Sequence, residues 1–154
     1  MERDAPRPIE PATLDVDLPA GVPESYVRDG RETFRLFRRV AASASVESLG
    51  SLREEILDRF GPPPPATRRL LLAQEVRLRA GAAGLVRVAA AEDGGLELEV
   101  APGGHGIERL AGRGVPVRRI DATRAFLPAP DGAAPSDPVE KAEGALSRLA
   151  TFLS

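Results

Sequence analysis

From Thr13 the chain alternates polar and apolar residues, with Leu14, Val16 and Leu18 on one side of an extended segment and Thr13, Asp15 and Asp17 on the other. A period of two predicts a strand with one buried face, and Pro19 and Gly21 stop it. The period then changes. Behind Asp29 and Glu32, which are spaced as a capping box, Phe34, Phe37, Val40 and Ala41 recur at helical intervals and predict a helix over roughly 30–42 with those side chains buried. Ser45 is placed to cap a second helix, in which Leu49, Leu52 and Ile56 line one face and Phe60 extends it. Gly61 stands where a helix ends on a left-handed residue, and the prolines from Pro62 to Pro65 forbid continuation. A third helix, over about 66–80, carries Leu70, Leu71, Ala73, Val76 and Leu78 across so wide an arc that it needs cover on more than one side.

After Gly84 the alternation returns. Val86, Val88 and Ala90 precede the turn dipeptide Asp93-Gly94, and Leu96, Leu98 and Val100 follow it between Glu97 and Glu99, which predicts a hairpin with one wet face. Pro102 to Gly106 is a glycine-rich connection, and Ile107–Ala111 fits a short helix. Val115–Ile120 is expected to be another strand, continued past Asp121 by Thr123–Leu127, before an exposed, mobile loop from Pro128 to Pro135. Asp137 as N-cap, Pro138 at the first helical position and Glu140 open a final helix striped by Val139, Ala142, Leu146, Leu149 and Leu153. An N-terminal strand, three helices, a small antiparallel sheet and a C-terminal helix make an α+β class, with no parallel strand-helix-strand unit and no internal repeat in view. Pro6, Pro8 and Pro11 lie among charges, so residues 1–11 are expected to form an extended tether and residues 12–154 a single domain.

Composition narrows the chemistry. The chain is 42% hydrophobic but only 4% aromatic and has no Trp, so its core is aliphatic. The absence of Cys removes disulfides, thiolate nucleophiles and Cys-based zinc sites together, which suits a reducing compartment. No apolar run reaches the ~18 residues of a membrane span, and Met1-Glu2-Arg3-Asp4 is unlike a signal peptide; a cytoplasmic protein is expected. A net charge of −2 argues against nucleic-acid binding, although a local basic patch can hide within it.

No reactive constellation assembles from the sequence. His105 is the only His, set in Gly103-Gly104-His105-Gly106, and lacks the partners that a metal shell or a catalytic base requires. The same glycines fail the spacing of phosphate-binding loops. Glu54 and Glu55 are adjacent on a helix and point in different directions, so they cannot converge on one substrate atom. Arg38-Arg39, Arg68-Arg69 and Arg118-Arg119 invite a nucleic-acid reading, but Phe37, the one aromatic beside them, is expected to be buried. No cofactor or metal is expected. A small enzyme using His105 and a nucleic-acid-binding domain remain as alternatives to a protein-binding module.

Two stretches carry a family resemblance. Pro23-Glu24-Ser25-Tyr26-Val27-Arg28-Asp29, followed by Phe34 to Val40, resembles a segment of the last domain of the bacterial transcription-repair coupling factors, also called Mfd. Glu55-Ile56-Leu57-Asp58-Arg59-Phe60-Gly61-Pro62-Pro63-Pro64 is similar to that domain's second signature. Residues 12–82 carry the likeness, and the later strands follow in compatible order. Two positions depart from the pattern: Thr33 stands where Arg is usual, and Phe37 replaces a Tyr. The resemblance marks Pro23, Tyr26, Asp29, Phe37 and Arg38 in the first segment, and Glu55, Asp58, Arg59, Phe60 and Gly61 in the second, as structural or interface residues. Asp58, in the last turn of its helix, is expected to accept hydrogen bonds from Arg59 or nearby backbone N–H groups. Helicase motifs and the RNA-polymerase-binding region are missing, so the chain is expected to be a fragment or a detached domain. What the resemblance implies is a non-catalytic, autoinhibitory module. It docks on a UvrB-like module of an ATP-dependent DNA translocase, masks the surface that recruits UvrA, and bears indirectly on RNA polymerase, with no contact to nucleic acid or membrane.

Overall fold

A computed structural model describes residues 9–91, 94–131 and 137–154. The tether reading for residues 1–8, the Asp93 half of the hairpin turn and the loop reading for residues 132–136 lie outside the described residues. In chain order the elements are β1 (Thr13–Asp15), α1 (Gly30–Ala42), α2 (Val46–Phe60), α3 (Pro65–Ala82), β2 (Leu85–Ala90), β3 (Leu96–Val100), α4 (Gly106–Gly112), β4 (Arg118–Arg119), β5 (Arg124–Leu127) and α5 (Pro138–Leu153). The α+β class holds. The sheet, however, is mixed, with five strands in the order β1-β2-β3-β5-β4. β1 pairs in parallel with β2, Leu14 opposite Val88, across the three intervening helices, so a parallel crossover exists that the sequence pattern did not reveal. Three helices between two strands conceal the unit, because nothing local marks two distant runs as neighbours.

Two aliphatic clusters share α3. Leu71 and Leu78 face Val27, Leu36, Val40, Leu49, Leu52 and Ile56 in a helical cluster. Val76 and Ala80, on the other side of the same helix, join β2, β3, β5, α4 and α5 in the larger cluster around Leu98, Leu110, Leu146 and Leu149. The wide apolar arc of the third helix is thus covered on two sides. Its two buried polar residues tie the helical layer together. Gln74 Nε2 donates to the carbonyl of Ser43 at 3.0 Å, just past α1, and Thr67 Oγ1 donates to the carbonyl of Gly21 at 2.9 Å. Ile9 packs on the helical cluster, and the Ala12 N–H donates to Arg77 O at 2.9 Å, so residues 9–12 run across the end of α3.

Three local readings change. In α1 the buried residues are Leu36 and Val40, while Phe34 and Phe37 are 63% and 43% exposed. Both sets have helical spacing; the arrangement of α2 and α3 selects the Leu36 stripe, and the two Phe residues, expected to be buried, face outward. In β2 the register shifts between Leu85 and Arg87, a bulge that sends Leu85 and Val88 into the core and leaves Val86 exposed. Past β3 the expected single strand folds back on itself. Asp121 Oδ1 accepts from the N–H groups of Thr123 at 3.0 Å and Arg124 at 2.9 Å, a side-chain turn that makes β4 and β5 an antiparallel pair instead of one strand.

Helix starts follow the sequence closely. Ser45 and Ser48 form a reciprocal capping box, and Asp137 accepts from the Glu140 N–H at 3.1 Å. Gly61 ends α2 at φ +84°, a conformation that other residues rarely adopt.

Candidate docking site

The two signature segments meet at one end of the helical layer. Pro23 begins a turn in which its carbonyl accepts from the N–H groups of Tyr26 at 3.0 Å and Val27 at 3.1 Å. That turn places the Tyr26 hydroxyl 2.5 Å from the carbonyl of Gly61, to which it donates. The Tyr26 ring lies 5.8 Å from that of Phe60 in a tilted arrangement, and the Arg59 guanidinium covers Phe60 at 4.7 Å. Burial raises the Tyr26 hydroxyl pKa above its ordinary value, so it remains a donor at neutral pH. Asp29 then caps α1 by accepting from the Arg31 N–H at 2.9 Å. Thr33, the departure from the family pattern, donates its hydroxyl to the carbonyls of Val27 at 3.0 Å and Asp29 at 3.1 Å, holding the turn against the helix.

Between α1 and α2 runs a charged lattice. Glu55 accepts from Arg39 at 2.6 and 2.8 Å, a bidentate pair, and from Arg59 at 3.2 Å. Arg59 also reaches Glu32 at 3.0 Å. The hydrogen bonds from Arg39, followed by the nearby positive charge, hold the Glu55 carboxyl at about 2, well below the ordinary 4.5. Glu32 therefore does not complete the expected capping box; its carboxylate is turned to Arg35 and Arg59.

The remaining signature residues are not part of this lattice. Asp58 is exposed and, among the described residues, makes no hydrogen bond or ion pair; the expected bond from Arg59 is absent because Arg59 turns toward Glu55 and Glu32. Phe37 and Arg38 lie on the outward face of α1, away from the lattice. Sequence reasoning missed Leu57, 54% exposed beside Asp58, whose only signal is an apolar residue one step off the buried stripe of α2. It also missed Arg39 and Glu32 as cross-helix partners. Glu47, Glu54 and Asp58, spaced seven and four apart, share the outward side of α2 and are all exposed and unpaired among the described residues.

His105 stands apart at the start of α4, its side chain 73% exposed, with Nδ1 3.1 Å from Glu108 Oε2. Glu108 also takes Arg119, and with the His105 bond foremost its pKa is lowered. No group of three His, Asp or Glu side chains placed to hold a metal occurs among the described residues, and none of their helices is long and apolar enough to cross a membrane. Among the described residues the signature segments present contact surface.

A family model described as the TRCF domain matches residues 16–104, which span both signatures and the hairpin. The chain belongs to the TRCF domain family. This TRCF domain is 36% identical over 84 residues to a transcription-repair-coupling factor of Haemophilus influenzae, a stretch that covers 54% of the chain and 7% of the relative. The factor of Bacillus subtilis is 33% identical over 67 residues, covering 44% of the chain and 6% of that protein. The likeness to these proteins thus spans less than a tenth of their length. A crystal structure of the C-terminal domain of transcription-repair coupling factor superposes with a TM-score of 0.66 at 15% identity and covers 97% of each chain, so the fold likeness extends past residue 104 through α5.

Proposed function

We propose that this TRCF domain is the regulatory module of a transcription-repair coupling factor, a cytoplasmic DNA translocase linking stalled RNA polymerase to nucleotide excision repair. It acts as a releasable lid, docking on the UvrB-like module of its parent, masking the surface that recruits UvrA and restraining the translocase until RNA polymerase is engaged. The observation that carries the reading is the outward side of α2. A signature carboxylate, Asp58, stands free at a helix C-terminus, where the macrodipole disfavours negative charge. Glu47 and Glu54 extend that acidic line, and exposed Leu57 adds an apolar contact. A carboxylate in such a place, with no partner among the described residues, is available to a cation on another surface. The lattice behind it fixes the helix that presents it, which lowers the ordering cost of docking.

A lid must let go, so its contact need exceed that of a competitor by only a few kcal/mol, on the order of the population shifts that switch two-state systems. Titration of the 154-residue chain against the parent factor lacking this domain should give saturable binding that weakens as salt rises. Asp58→Ala and Leu57→Asp should each weaken it by about tenfold while leaving the fold intact. Absence of binding at high protein concentration, or binding indifferent to both substitutions and to salt, would remove the reading.

A further inference from the structure

The outward face of α1 has no role in the lattice or in the surface of α2, and it has the opposite charge. Gly30, Phe34, Phe37 and Ala41 follow one another at intervals of four, three and four residues, the spacing of a coiled-coil seam, and all four are exposed. Arg31 and Arg38 occupy the positions that flank such a seam. Neither has an ion pair among the described residues, and the Arg38 guanidinium instead lies 5.7 Å from the centre of the Phe34 ring. Arg35, on the same exposed side, pairs among the described residues with Glu32 alone. The helix carries four Arg against a single Glu in a chain whose net charge is −2, so this is a basic island on an acidic body.

We infer that this face is a second docking surface, for an amphipathic helix of another protein or module with an apolar seam flanked by acidic residues. The seam spacing specifies a helix lying alongside α1. Charge complementarity specifies its flanks, because Arg31 and Arg38 would pair with Glu or Asp at the facing positions and reject Lys or Arg there. α1 has 13 residues, so the occupant needs no more than about four turns. The observations favour this occupant over a single-stranded nucleic acid. Although Phe and Arg are present, the shallow open depression on this face is lined by α1 alone, from Arg31 to Ala42, and has no second wall to hold a phosphate backbone in a track. The inference is independent of the docking assigned to α2: the two faces carry opposite charge and call for different partners.

The test uses the 154-residue chain and two synthetic helix-forming peptides with the same Leu and Ala seam, one flanked by Glu and one by Lys. The Glu-flanked peptide should bind at least about tenfold more tightly than the Lys-flanked one. Substituting Phe34→Ser together with Phe37→Ser should abolish binding without altering the thermal midpoint, since both side chains are exposed. Arg31→Glu with Arg38→Glu should reverse the preference between the peptides. Equal affinity for the two peptides, or binding untouched by the Phe substitutions, would overturn the proposal. So would a single-stranded oligonucleotide binding through these residues in place of the peptide, or a self-association in sedimentation that the Phe substitutions dissolve.

Discussion

Tyr26 joins the two signature segments through one hydroxyl and one ring face, and the two contributions can be separated. Tyr26→Phe keeps the ring beside Phe60 but leaves the Gly61 carbonyl without its donor, which should cost about 1 kcal/mol in urea unfolding at pH 7. Tyr26→Ala removes both and should cost more. Glu55 gives a pH-dependent counterpart. Its carboxyl sits at about 2 in the fold against an ordinary 4.5, so ionisation favours the folded state. That contribution is complete above 4.5 and is lost as pH falls from there toward about 2. Glu55→Gln should therefore unfold at lower urea concentration than the parent at pH 7, and the gap should close across that interval. A gap that persists at the acid end would show that packing, not charge, is what Glu55 supplies. Because the carboxylate is only partly covered, added salt should narrow the gap as well.

At the level of elements, the close crossing of residues 9–12 over α3 depends on Gly81. A Cβ there would lie 2.1 Å from the carbonyl oxygen of Glu10, and backbone cannot swing aside as a side-chain tip can. Gly81→Ala gains helix propensity of about 1 kcal/mol but forces the segment off the helix, a cost of about 1–3 kcal/mol. The net expectation is destabilisation, read by thermal unfolding, together with faster proteolysis near Glu10. The helices themselves were legible: Ser45, Gly61 and Asp137 mark their ends in sequence and act as caps in the structure. The buried face of α1 was not. Phe34, Phe37 and Ala41 make one helical stripe and Leu36 and Val40 another, and hydrophobicity alone favours the aromatic one. Packing chose the other: Leu36 and Val40 fit among Leu49, Leu52, Ile56 and Leu71, and the ion pairs of Glu32 and Arg39 with Arg59 and Glu55 accompany that rotation of α1. The bulge in β2 is the same kind of event, a shift of one residue that only pairing with β3 imposes.

The molecule as a whole carries a basic, aromatic face on α1 and an acidic face on α2, two helices joined by the Glu55–Arg39–Arg59–Glu32 lattice. Substitutions on one face should leave the partner of the other bound: Asp58→Ala should weaken only docking of the parent factor, and Phe34→Ser with Phe37→Ser only that of the Glu-flanked peptide; paired titrations with the two partners measure both. The aliphatic core, the ends of the helices, the α+β class and the two segments that mark the family follow from the order of residues alone, because caps, turn residues and period are properties of neighbours along the chain. Long-range packing, by contrast, set the first strand parallel in the sheet, turned Phe34 and Phe37 outward and drew Arg59 to Glu55 and Glu32, away from Asp58. Each of those is a choice between partners far apart in sequence, and the geometry of the folded layers is what makes one of them win.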